Sequence, residues 1–148
     1  MRLNTKHFGE VDYDEDSVII FEEGLPGFKN DTQFLLISEN PGDLFQWLQS
    51  TEDEELAFVL VDIRQILPEY QPIVEPGILA SLEDGNELFY YNIAVVPEDI
   101  HQMRVNLKAP IIINKSAQKG KQVIAGNEEY GVRHYIFKDL DNKKVIGC

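Results

Sequence analysis

Cysteine is almost absent: the only one in 148 residues is Cys148, so the chain forms no internal disulfide and no thiolate metal cluster. Histidine is nearly as scarce. His7, His101 and His134 stand far apart, and none lies at metal-ligand spacing from another His or Cys. Long apolar runs are missing too. Runs such as Val18–Phe21, Leu56–Val61 and Ile111–Ile113 fall far short of the ~20 residues a membrane-spanning helix needs. Met1–Lys6 has no apolar signal core, so a cytoplasmic protein is expected. Basic residues are few: 13 Lys and Arg against 26 Asp and Glu give a net charge of −13. That deficit argues against direct binding to nucleic-acid phosphates and to anionic membranes.

Motifs of catalysis are likewise lacking. Gly24-Leu25-Pro26-Gly27 has neither the spacing nor the Lys of a phosphate loop, and no Gly-x-Ser-x-Gly elbow occurs. Asp12, Asp14 and Asp16 alternate like calcium ligands, but Ser17 stands where such a loop requires Gly. No catalytic residue, metal site or cofactor is therefore expected. An enzyme using Glu22 or Glu23 would need a second carboxylate across a cleft.

What is present is a chain of globular composition, with 43% hydrophobic residues and a charge that is unevenly spread. Met1–Glu87 holds 20 acids and 4 bases; Leu88–Cys148 holds 6 acids and 9 bases. Nearly all the negative field thus comes from the first part, and it favours rapid encounter with a basic partner.

Short β-rich runs broken by Gly, Pro, Asn and Asp predict a mainly β, antiparallel barrel-like domain with little helix. Arg2–Lys6 and Gly9–Tyr13 read as a hairpin. Further strands are read over 18–21, 33–37, 44–50, 56–62 (the most apolar, expected to be central), 87–96, 105–107, 109–114 and 122–125. Lys115–Gly120 reads as a polar loop, and a short helix is read from Pro76 to Leu82, with Pro76 in its first turn. Tyr130–Phe137 fits a strand or a helical turn. One domain is expected over 1–138, with a polar tail over 139–148.

The segment Phe21-Glu22-Glu23-Gly24-Leu25-Pro26-Gly27-Phe28 sets two aromatics around a turn whose glycines permit positive φ and whose Pro fixes its own. Two readings stand. The turn shapes the fold, with Phe21 and Phe28 packed inward, or Glu22 and Glu23 form a preorganised acidic contact that costs little to order on binding.

Ile20–Phe28 resembles the N-terminal signature of the flagellar assembly factor FliW family. Leu48-Gln49-Ser50, Leu56–Val61, Asn106-Leu107-Lys108-Ala109-Pro110-Ile111-Ile112-Ile113-Asn114, Gly120–Ile124, Tyr130 and Arg133-His134 follow in that family's order. The acidic run Glu52–Glu55 and the tail beyond Asp139 depart from it. The resemblance implies a β-rich barrel-like domain that is not an enzyme. It implies binding to CsrA, a small basic dimeric RNA-binding regulator, so that CsrA no longer represses flagellin messenger RNA. It implies flagellin as the alternative partner, and inhibition away from the RNA-contacting surface, with a C-terminal extension of CsrA in the docking site. A dedicated flagellin chaperone without a role in translation is the other reading.

Residues and resemblance together nominate Glu22, Glu23, Gly24, Leu25, Pro26, Gly27, Phe28, Gln49, Ser50, Asn106, Pro110 and Asn114 as partner-binding. Apolar anchors are sought among Phe21, Leu25, Phe28, Phe45 and Trp47, and the free protein is expected to be monomeric. Ala109–Ile113 reads equally as a core strand.

Overall fold

A computed structural model describes residues 1–83 and 87–138. The strands are β1 (Arg2–Thr5), β2 (Gly9–Asp12), β3 (Val18–Ile20), β4 (Gln33–Ile37), β5 (Phe45–Ser50), β6 (Ala57–Val61), β7 (Phe89–Val95), β8 (Arg104–Val105), β9 (Ile111–Asn114), β10 (Lys119–Gln122) and β11 (His134–Tyr135), with a short helix, α1 (Pro76–Ser81), and single 3-10 turns at Glu15–Ser17, Ile63–Gln65 and Ile100–Gln102. None of the described helices is long and apolar enough to cross a membrane.

Seven strands close a ring in the order β3-β4-β5-β6-β7-β9-β10, with β10 returning to β3. Every pair in the ring is antiparallel except the last, where Lys119 lies parallel to Ile20. The barrel expectation therefore holds, with one parallel seam in it. Gln118 holds that seam: its main-chain oxygen accepts from Ile20 N at 2.9 Å, and its side chain donates to Val18 O at 2.8 Å and Glu15 O at 2.7 Å. β6 is not central, because a ring gives every member two neighbours.

Period-two alternation sorts the side chains. Ile19, Phe21, Phe34, Leu48, Leu60, Tyr91, Ile111 and Ile113 form the main core cluster. β9 is buried at all four positions, because Ile112, on its other face, packs with Leu82 and Val123 beside α1. This double burial explains why 111–113 reads as an unbroken β-branched run. A second cluster joins Val61, Ile63, Tyr70, Met103, Val105 and Ile136, where Tyr70 Oη donates to Leu107 O at 2.6 Å. The β1–β2 hairpin packs through Leu3 on Val18 and Leu35.

Several boundaries shift: the strand read over 87–96 is β7 at Phe89–Val95, that over 105–107 is β8 at Arg104–Val105, that over 109–114 is β9 at Ile111–Asn114, and that over 122–125 is β10 at Lys119–Gln122. β10 begins at Lys119, inside the expected polar loop, and the turn shrinks to residues 115–118, closed by Ala117 N donating to Asn114 Oδ1 at 3.0 Å. The 130–137 segment contains both conformations left open: β11, then a helical turn at 136–138. The expected tail lies outside the described residues.

Candidate functional site

After β3 the chain leaves the ring through a turn that its residue types dictate. Gly24 has φ +65°, and its N–H donates to Phe21 O at 2.8 Å. A side chain there would meet main chain, with Lys29 Cα at 2.7 Å and Phe28 O at 2.8 Å. Pro26 and Gly27 (φ +84°) take the two central positions of a type II turn, in which Phe28 N donates to Leu25 O at 2.7 Å. Leu25 and Phe21 point inward, at 2% and 1% exposure. Phe28 does not: its ring stands edge-on to Phe58 at 5.4 Å and remains 41% exposed. Glu22, Glu23, Pro26 and Gly27 are exposed. The turn thus has an inner half that packs, through Phe21 and Leu25, and an outer half that faces solvent, and the expected inward packing holds for Phe21 and not for Phe28.

The β5–β6 turn is locked against this segment. Ser50 Oγ donates to Asp31 Oδ1 at 3.0 Å and accepts from Glu52 N at 3.1 Å and Asp53 N at 3.0 Å. The Glu52 carboxylate accepts from Thr32 N at 2.8 Å and Gln33 N at 3.1 Å. Gln49 Nε2 shares its hydrogens among the carbonyls of Ser50, Asp53, Glu54 and Leu56. The outcome is an acidic rim made of two turns tied through Thr32: exposed Glu22 and Glu23 follow Phe21, whose N–H donates to Thr32 O at 2.8 Å, and exposed Glu52, Asp53, Glu54 and Glu55 lie on the turn whose Glu52 accepts from Thr32 N. Charge alone does not say which acids share a face; Thr32, bonded to Phe21 and to Glu52, sets these two acidic turns at one end of the barrel.

Behind the turn lies a cleft of about 570 Å³ with Glu22, Glu23 and Leu25 on one wall and Lys119, Gly120, Lys121 and Gln122 on the other. Lys121 Nζ meets Glu23 Oε1 at 3.2 Å, and Lys119 Nζ meets Glu83 Oε2 at 3.0 Å. β10 carries Lys121 to Glu23 across almost a hundred positions of sequence. The two turn carboxylates thus differ. Glu23 has an exposed ion pair, worth at most about 1 kcal/mol, while Glu22 has none among the described residues.

Several nominated residues work inside the fold. Gln49, Ser50, Pro110 and Asn114 are buried, so their side chains offer a partner no surface in this conformation. Asn114 Nδ2 donates to Leu82 O at 2.8 Å and Glu83 O at 3.0 Å, holding the end of α1 to β9. Asn106 is half-buried, and its Oδ1 accepts from Lys108 N at 2.9 Å. Pro110 O accepts from Val123 N at 3.0 Å. The core-strand reading of this run is the one the structure carries. Trp47 is half-buried under the rings of His7 and Phe8, and Phe45 packs against the second cluster, which leaves Phe28 the most exposed of the sought anchors.

The family model described as FliW protein matches residues 2–136. The chain belongs to the FliW family. It is 45% identical over 145 residues to the flagellar assembly factor FliW of Thermoanaerobacter pseudethanolicus, covering 96% of this chain and 97% of the relative. It is 43% identical over 145 residues to that of Caldanaerobacter subterraneus subsp. tengcongensis, covering 96% and 97%. A crystal structure of the flagellar assembly factor FliW superposes with a TM-score of 0.84 at 32% identity, covering 92% of this chain and 96% of that one. The sequence resemblance and the barrel thus lead to one family, whose curated members are named for assembly and not for a reaction.

Proposed function

We propose that this FliW-family chain is a non-enzymatic, cytoplasmic flagellar assembly factor that captures the basic regulator CsrA on its acidic rim and lifts repression of flagellin messenger RNA. Flagellin is the alternative partner, so the protein passes between the two. The observation that carries this reading is the rim itself: six exposed carboxylates on two turns tied through Thr32 and the Ser50–Asp31 hydrogen bond, with a half-exposed Phe28 closing the first turn. Ordered acidic turns that also carry an exposed aromatic suit a basic protein partner, because the charges steer and the aromatic anchors.

Co-purification tests it. The protein is mixed with purified CsrA and, separately, with flagellin, and each mixture is passed over a sizing column. A stable complex with each, and displacement of CsrA by flagellin, is the expected result. A complex with flagellin alone would support the chaperone reading instead, and absence of both would overturn the proposal.

A further inference from the structure

β10 carries an unfilled pairing edge. Its ladder with the β9 side continues past Gln122: Val123 N donates to Pro110 O at 3.0 Å, and Ala125 N donates to Lys108 O at 2.8 Å. Alternation then turns the main-chain groups of Gly120, Gln122, Ile124 and Gly126 to the opposite side. That side is covered at both ends. Near Gly120 stands β3, where Lys119 pairs with Ile20; at the other end Gly126 N donates to Ile73 O at 2.8 Å. Between them β3 has already left the sheet into the 21–28 turn. Among the described residues, nothing meets the lane-facing N–H and C=O of Gln122 and Ile124. The 570 Å³ cleft opens at this gap. Ile124 and Ile73 are 70% and 64% exposed beside it.

We propose that this gap receives an extended segment of the basic partner, which adds as a short strand beside Gln122–Ile124 in the lane vacated by β3. The inference rests on the function proposed above. Donors and acceptors that repeat at every second residue fit an extended backbone, and a helix, whose own groups are bonded internally, cannot complete them. From Gly120 to Gly126 the lane runs about 20 Å at ~3.3 Å per residue, and its closed ends admit only a short guest. The flanks set its chemistry. Exposed Ile124 and Ile73 favour an apolar residue at one end. Glu22, which lines the cleft and has no ion pair among the described residues, favours a Lys or Arg at the other.

Ile124→Pro isolates the claim. Proline removes the N–H that faces the lane and leaves the Val123 and Ala125 bonds to the β9 side in place; such positions tolerate it. With purified CsrA as the probe, Ile124→Pro is expected to keep its melting temperature and lose at least tenfold in affinity, while Ile124→Val binds like the parent. Amide exchange by NMR gives a readout on the unmutated protein, which decides the matter if the proline variant fails to fold. The Gln122 and Ile124 amides are expected to exchange fast in the free protein and at least tenfold more slowly in the complex. Full affinity of a folded Ile124→Pro, or unprotected Gln122 and Ile124 amides in the CsrA complex, overturns strand addition and leaves the functional reading standing. Protection by flagellin and not by CsrA overturns the choice of occupant. If the unmutated protein binds no CsrA, both inferences fall.

Discussion

The ring of Phe21 fills the space that a side chain on Gly120 would need. A methyl group at position 120 would meet Phe21 Cε1 at 2.7 Å, and Cζ closer still. The ring has nowhere to go: it is 1% exposed and stands edge-on to Phe34 at 5.4 Å. Phe21 and Gly120 sit just where the parallel seam closes the barrel and the acidic turn departs.

Gly120→Ala is therefore expected to lower stability by about 1–3 kcal/mol, the usual cost of overpacking. Urea unfolding checks this. Adding Phe21→Leu should return part of the loss, since the two residues share one space and their effects are not additive. An unaltered urea midpoint for Gly120→Ala would contradict the contact.

Alkaline pH should unlock two buried tyrosines. Burial pushes the hydroxyl of Tyr70 up to about 12, and burial together with the nearby Asp62 charge does the same to Tyr91. Folding thus favours the protonated form of each. Their contribution is fully present below the unfolded value near 10 and is lost as the pH rises through 10 to 12. A shift of two units corresponds to about 2.7 kcal/mol per tyrosine at most. The urea midpoint should fall between pH 9 and pH 11.5, and less steeply in Tyr91→Phe. Tyr70→Phe should also flatten the fall, from a lower start, because Leu107 O loses its 2.6 Å donor. Equal slopes in all three proteins would contradict this assignment.

Most of the barrel was legible because its signals are local. The apolar run 33–37 became β4 with the same ends, and Pro76 opened α1 as read. The Leu-Pro-Gly-Phe turn was legible for the same reason: its φ requirements are written in residue types. The parallel seam was not, since a single pair, Lys119 with Ile20, makes it across a long stretch of sequence. Gln49, Ser50 and Asn114 show a different limit. A polar residue in a recognisable family block looks like a contact residue, yet each of these spends its side chain on main-chain groups of neighbouring loops. Sequence gives residue type, whereas burial decides whether a partner can reach it.

Association with CsrA should be steered by charge. The acidic rim attracts a basic protein over distances that salt screens beyond ~8 Å at 0.15 M ionic strength. Stopped-flow rates should therefore fall several-fold between low and high salt, while dissociation changes less. A salt-independent on-rate would contradict steering.

The rim is tested most directly by reversing its charge. Glu22 and Glu23 are exposed, and among the described residues Glu23 holds only the surface pair with Lys121, so Glu22→Lys with Glu23→Lys should shift stability by no more than about 0.5 kcal/mol. The deciding measurement is the CsrA dissociation constant of the double variant by calorimetry, with folding confirmed by its melting temperature. The account predicts an unchanged melting temperature and affinity weakened at least tenfold, about 1.4 kcal/mol. Unchanged affinity in a folded double variant would contradict it, and would move the docking role away from this turn toward Glu52–Glu55.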